Sequence, residues 1–285
     1  METRLLYGQP VAQELKNKIS TDIHSLKKVG SIPKLVVIII GEDQASLTYV
    51  SMKKKAADKL GMSSEILRFP PSITEQQLKD EISKLNKDMN VHGILLQLPI
   101  PNHINEKNVL EWIDPRKDVD GFHPTNVGRL TVGQPGFYPC TPLGIMRILT
   151  FYEIPIKGKH VVIVGRSNIV GKPVGQLLLN KDATVTFCHS KTEDLQELTS
   201  RADILIIAIG KAHFIKRNAV KKGATVIDIG NTFNEQKQVF GDADMNDLKG
   251  HVANITPVPK GVGPMTITML LYNTVQAAKE LNKGE

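Results

Sequence analysis

The 285-residue chain is poor in cysteine, in aromatic residues and in long apolar runs, and each shortage excludes something. Its two cysteines, Cys140 and Cys188, lie too far apart for a disulfide framework and read as reduced thiols of the cytoplasm. No apolar run reaches the roughly 18–20 residues that cross a bilayer, so no membrane association is expected. The opening METRLLYGQP has too short an apolar part for a secretory leader. Eight histidines occur without HExxH or another ligand spacing, so no metal is expected. The densest basic runs, Lys53-Lys54-Lys55 and Lys221-Lys222, are not interleaved with aromatics for base stacking. The net charge of +7 therefore suits a polyanionic small molecule better than nucleic acid. There is no short-period repeat and no low-complexity segment.

What remains is an ordinary globular composition, 41% hydrophobic and 23% charged, with length for two domains or one large one. A short strand is expected near Leu5–Tyr7, and Pro10 suits a first helical turn. Val11, Leu15, Ile19, Ile23 and Leu26 then recur at helical spacing, stopped by Gly30. Leu35–Ile40 reads as a buried strand, Ala45–Leu60 as a helix closed by Gly61, and Glu65–Phe69 as a strand. Thr74 with Gln77 forms a capping box for the next helix, and Val91–Leu98 is again a strand. This alternation predicts an open α/β domain.

From Asp114 to Pro142 the periodicity dissolves, as it does where a chain lines a site or bridges domains. Thr141 and Pro142 then open a helix through Phe151, as cap and first-turn residue. A second α/β run has strands over Thr184–Cys188, Ile204–Ile209 and Thr225–Ile229. Thr192 is placed as the cap of a helix carrying Leu195 and Leu198, with a short helix around Asn218–Lys222 and a final one over Met265–Leu281.

The second run starts at His160–Gly175, HVVIVGRSNIVGKPVG. A β-branched apolar strand breaks at Gly165, and a loop with Arg166, Ser167 and Asn168 leads to Gly171, Pro173 and Gly175 at a helix start. Such a turn lets backbone amides approach a phosphate at the positive end of the helix, which marks a Rossmann-like domain. Ser167 stands where GxGxxG has its second glycine. The next strand ends Phe187-Cys188-His189-Ser190-Lys191, with no acid before Glu193 to bind a ribose 2′-hydroxyl and repel a 2′-phosphate. Ser190, Lys191 and Arg166 favour NADP over NAD.

Tyr49 and Lys53 stand at i and i+4 of a predicted helix and share a face, with Ser46 three residues before Tyr49. The Tyr-x-x-x-Lys spacing occurs in short-chain dehydrogenases, but there it follows the nucleotide loop, and here it precedes it. Gln97 ends a buried strand, at the edge where open α/β sheets bind ligands. Asp118 and Asp120 lie in KDVDG, and Asp120 before Gly121 also suits a plain turn.

Jointly these residues resemble the bifunctional methylenetetrahydrofolate dehydrogenase/methenyltetrahydrofolate cyclohydrolase family. The matching segments include ASLTYVSMKKK (45–55), GILLQLPIP (93–101), KDVDGFHP (117–124), PCTPLGI (139–145), GRSNIVGKP (165–173), TVTFCHS (184–190), ADILIIAIG (202–210) and ITPVPKGVGPMT (255–266). They run in family order over nearly the whole chain. The resemblance implies two α/β domains around a cleft: residues 1–140 plus 265–285 for substrate and catalysis, and 141–264 as a Rossmann-like NADP-binding domain. It further implies a cytoplasmic homodimer joined through the nucleotide domains, acting on tetrahydrofolate derivatives. Tyr49, Lys53, Gln97 and Asp120 would be catalytic and would bind substrate with Gly261, Gly263 and Pro264. Gly165, Arg166, Ser167, Ser190 and Asn231 would hold NADP.

The residue chemistry fits. Lys53 suits a general acid/base in hydrolysis, given burial or a nearby cation to lower its pKa. Gln97 would hold Lys53 or the water without adding charge. Tyr49 offers an aromatic face to p-aminobenzoate, and Asp120 an acceptor to pterin N–H donors. The sequence departs from the family pattern at Lys260, where PVPGGVGP has glycine, and at Asn231, where an isoleucine commonly follows the glycine.

Overall fold

A computed structural model describes residues 1–236 and 238–283. It divides into two compact units: Met1–Gln13 with Pro139–Thr266, and Glu14–Tyr138 with the chain from Ile267 onward. In chain order, β1 (Arg4–Leu5) is followed by α1 (Gly8–Lys28), whose Val11, Leu15, Ile19, Ile23 and Leu26 are all buried, as their spacing requires. Then come β2 (Lys34–Ile40), α2 (Gln44–Leu60), β3 (Ser63–Phe69), α3 (Glu75–Lys87), β4 (Gly93–Leu96), α4 (Glu106–Trp112) and α5 (Pro124–Thr131).

β2 is the middle strand of a parallel three-stranded sheet, ordered β3-β2-β4. Six of its seven residues, Leu35–Ile40, are buried, which explains a run with no polar alternation. Leu78 and Ile82 of α3 join Val36, Ile38, Ile94 and Leu96 in the core beneath one face. At roughly 1.5–3 kcal/mol for each large apolar side chain, this burial is what holds the short sheet together. α2 starts at Asp43, whose carboxylate accepts from Ser46 N at 2.8 Å, and stops at Gly61 in the left-handed region at φ 77°. α3 carries the expected capping box between Thr74 and Gln77.

The unit that holds Met1–Gln13 continues with α6 (Cys140–Phe151), β5 (His160–Val164), α7 (Gly171–Leu179), β6 (Thr184–Cys188), α8 (Leu195–Thr199), β7 (Ile204–Ile207) and a 3-10 turn at Arg217–Ala219. β8 (Thr225–Asp228), the antiparallel pair β9 (Thr232–Phe233) and β10 (Val239–Phe240), α9 (Met245–Leu248), β11 (Asn254–Ile255) and α10 (Gly263–Leu281) complete the chain. Its parallel sheet has the order β1-β11-β8-β7-β5-β6. β5 is followed by β6 on one side and by β7 on the other, so the order reverses at the carboxyl end of β5, the binding crevice of doubly wound sheets.

Several details differ from the sequence expectations. The first strand does not join residues 14–138: β1 pairs with β11, Arg4 beside Asn254 and Leu5 beside Ile255, so Met1–Gln13 group with the six-stranded unit. The aperiodic stretch holds α5, capped by the His123 imidazole accepting from Thr125 N, with Pro124 in its first turn. Pro139, not Thr141, precedes α6, and the Thr141 hydroxyl instead meets that of Thr266 at 2.9 Å. Thr192 does not cap α8. Its hydroxyl accepts from His189 N at 2.8 Å, and Asp194 at φ 48° takes the cap position.

Candidate functional site

α2 presents Ser46, Val50, Lys53 and Ala57 on its buried face, a 4-3-4 spacing. Lys53 is only 6% exposed. Its Nζ donates to Gln97 Oε1 at 3.0 Å and lies 5.0 Å from the centre of the Tyr49 ring. Gln97 follows β4 and continues the ladder, its N–H donating to Ile38 O at 2.8 Å. Its Nε2 donates to Leu98 O at 2.8 Å, which fixes the amide with Oε1 toward the lysine. Tyr49 is 37% exposed. The structure thus brings Tyr49, Lys53 and Gln97 together.

Asp120 lies in the same unit, in a turn two residues beyond a bridge that pairs Asp118 with Ile94 of β4. Lys117, 1% exposed, ties that turn to the end of α3 by donating to Leu85 O at 3.0 Å and Asp88 O at 2.7 Å. Burial holds the Lys117 amine below the usual lysine range. Asp118 is buried as well. Burial raises its carboxyl, although Gly121 N, Phe122 N, His123 N and Asn126 Nδ2 all donate to it. The sequence shows Asp118 only as the neighbour of Asp120 in KDVDG. Its four donors come from the chain folding back on itself, which spacing does not show.

In the six-stranded unit, Gly165 sits at φ 126° directly after β5, and a Cβ there would meet Ala208 O at 2.4 Å. A Cβ on Gly171 would meet Gly165 O at 2.3 Å, so loop and helix start touch backbone to backbone. Ser167 needs no glycine's freedom. Its hydroxyl accepts from Val170 N and Gly171 N, both at 3.2 Å, bracing the turn. Arg166 and Ser190 are exposed after β5 and β6, as is Lys191. Asn231 is exposed just beyond β8. This backbone cradle, with no acid at the end of β6, fits a phosphorylated dinucleotide.

Two further carboxylates shape the same end of this sheet and were missed from sequence. Asp228 accepts from Gly230 N at 2.8 Å, Asp242 N at 2.9 Å and Ala243 N at 2.8 Å. Asp242 accepts from Ile209 N at 2.7 Å, Gly210 N at 3.1 Å and Lys211 N at 2.7 Å. Together they tie the loops after β7 and β8 to the 241–243 segment. Burial, helped by repulsion from Asp242, pushes the Asp228 carboxyl up to about 6.

Gly261, Gly263 and Pro264 lie at the start of α10, and Gly261 is buried where a Cβ would meet Pro257 O at 2.5 Å. Lys260 adopts φ 86°, the left-handed region, while its carbonyl accepts from Gly8 N at 2.9 Å. Among the described residues, no group of three His, Cys, Asp or Glu is placed to hold a metal ion, and no helix is long and apolar enough to cross a membrane.

Residues 6–120 match the catalytic domain of tetrahydrofolate dehydrogenase/cyclohydrolase, and residues 139–282 match its NAD(P)-binding domain. The chain is 52% identical over 283 residues to the bifunctional protein FolD of Anoxybacillus flavithermus, covering 99% of this chain and 100% of that relative. Its fold superposes with a TM-score of 0.96 on the bifunctional FolD methylenetetrahydrofolate dehydrogenase/cyclohydrolase of Campylobacter jejuni, 46% identical and covering 98% and 99% of the two chains. The Trypanosoma brucei enzyme, solved with NADP cofactor and an inhibitor, gives 0.92 at 36% identity, covering 98% of each chain. With both of its domains matched in order, the chain belongs to the tetrahydrofolate dehydrogenase/cyclohydrolase family.

Proposed function

We propose that this protein is a bifunctional enzyme of one-carbon metabolism. It oxidises 5,10-methylenetetrahydrofolate to the 5,10-methenyl cation with NADP, then hydrolyses that cation to 10-formyltetrahydrofolate. The observation that carries this reading is the buried Lys53–Gln97 pair beside the exposed Tyr49 ring. Such a pair suits hydrolysis as well as binding.

NADP supplies the hydride acceptor when bound. Gly165, Arg166, Ser167, Ser190 and Asn231 would hold it, supported by the backbone cradle around Gly165 and Gly171 and by the lack of an acid after β6. In the hydrolytic step Lys53 Nζ takes the proton as water attacks the methenyl carbon. It returns that proton to N5 as the C–N5 bond breaks, while the hydroxyl left on the carbon releases its own proton to solvent and becomes the carbonyl of the formyl group on N10. Gln97 Oε1 keeps the amine in place through its 3.0 Å hydrogen bond and adds no net charge. Tyr49 stacks on the p-aminobenzoate ring, and Asp120 accepts from the pterin N–H groups. Gly261, Gly263 and Pro264 are carried over as substrate contacts from family membership.

The same membership supports a cytoplasmic homodimer joined through the six-stranded unit. The molecular mass in solution tests the dimer, and a monomer at micromolar concentration contradicts it. Activity is tested by adding NADP and 5,10-methylenetetrahydrofolate to purified protein. Cofactor reduction with little methenyl build-up is expected, and no reduction overturns the reading.

A further inference from the structure

Asp120 is a turn residue whose neighbours on both sides are immobilised. On its N-terminal side, Val119 is fully buried and packs on Gly93 so tightly that a Cβ there would come within 2.9 Å of a Val119 methyl. The Val119 carbonyl accepts from Asn273 Nδ2 of α10 at 2.8 Å. On its C-terminal side, three consecutive peptide N–H groups turn inward onto one carboxylate. Gly121 N at 3.1 Å and Phe122 N at 3.2 Å reach Asp118 Oδ1, and His123 N at 2.8 Å reaches Asp118 Oδ2. Asn126 Nδ2 of α5 adds a fourth donor to Oδ2 at 2.9 Å and also donates to Pro115 O. The carboxylate is itself anchored, because the backbone of Asp118 bridges to Ile94 in β4, the strand that leads to Gln97.

We propose that Asp118 is a positioning residue for the folate substrate, acting through Asp120. By gathering the three peptides after Asp120 onto its carboxylate, it fixes the direction in which the Asp120 side chain leaves the turn. The inference rests on the reading that Asp120 binds the substrate. Every hydrogen-bonding group that faces Asp118 in these contacts is a donor, so an acceptor-only side chain is required. Asn in its place would set an NH2 against two of the donors and open the turn.

A double-mutant cycle tests this, with KM for 5,10-methylenetetrahydrofolate, kcat and the NADP dissociation constant measured for each variant. Asp120→Ala and Asp118→Asn should each raise KM by about tenfold or more, with the NADP dissociation constant within about twofold. The double variant should exceed the larger single effect by no more than about threefold, because both remove the same interaction. Two effects that multiply would overturn the proposal while leaving the role of Asp120 intact. An unchanged KM in Asp120→Ala alone would instead overturn the substrate reading, and the proposal with it. If Asp118→Asn does not fold, Asn126→Ala replaces it in the cycle, since it removes one donor of four. A smaller rise in KM that vanishes in the Asp120→Ala background supports the proposal, and a rise that persists there overturns it.

Discussion

Lys53 and Gln97 are 44 residues apart in sequence, yet Lys53 Nζ donates to Gln97 Oε1 at 3.0 Å, and the other end of the same amide is fastened to Leu98 O. The glutamine therefore cannot turn over without giving up both bonds. Gln97→Glu keeps the size and places a negative charge against the amine. An opposite charge favours the protonated amine, so the base needs a higher pH to act. Hydrolysis of methenyltetrahydrofolate should fall by about tenfold or more at neutral pH and recover toward alkaline pH. A pH–rate profile superimposable on that of the unaltered enzyme contradicts the pairing.

Arg166, Ser190 and Lys191 are the exposed polar groups after β5 and β6 that suit a 2′-phosphate. Ser190→Asp puts the missing acid there. Efficiency with NADP should drop by roughly 10–100-fold, the scale of one or two charge-assisted hydrogen bonds, while NAD is spared. Equal losses with both cofactors would mean that the end of β6 does not discriminate between them.

Asp228 gives a pH signature. Its carboxyl is raised from 3.8 to about 6 in the fold, so the native state holds the proton more tightly than the unfolded chain between those values. The stability it contributes is full below about pH 4 and is lost as pH rises through 6. Relative to Asp228→Asn, the enzyme should lose roughly 3 kcal/mol between pH 4 and pH 7 by chemical denaturation. A difference that is flat in pH contradicts this environment.

Lys260 holds φ 86° with a side chain that disfavours it. Lys260→Gly should stabilise the protein by about 1 kcal/mol, seen as a higher urea midpoint with unchanged slope. A lower midpoint would mean that the lysine side chain makes a compensating contact.

The sheets and long helices were legible because their signals are local. The run at Leu35–Ile40 is buried throughout, α2 runs from a capping Asp43 to Gly61, and Thr74 with Gln77 closes a capping box four residues long. Helix periodicity placed Tyr49 and Lys53 on one face, and the carboxyl-end rule placed Gln97 at its strand end, but the expectation that the three act together came from the family resemblance. What escaped depends on pairs distant in sequence. β1 belongs to the six-stranded sheet only because Arg4 and Leu5 meet Asn254 and Ile255. α5 hides behind a cap made by an imidazole, and Thr192 loses its expected cap to the His189 amide. The donors gathered by Asp118, Asp228 and Asp242 are mostly backbone N–H groups, which every sequence possesses. Only the folded chain shows where they converge.

Lys53 is proposed to carry the proton of the hydrolytic step while the hydride acceptor binds elsewhere. Comparing hydrolysis of 5,10-methenyltetrahydrofolate by the enzyme and by Lys53→Met, with NADP affinity measured on both, tests it most directly. The prediction is a loss of about 100-fold or more in hydrolysis, with the NADP dissociation constant unchanged within about twofold. Full hydrolysis by Lys53→Met would contradict the assignment.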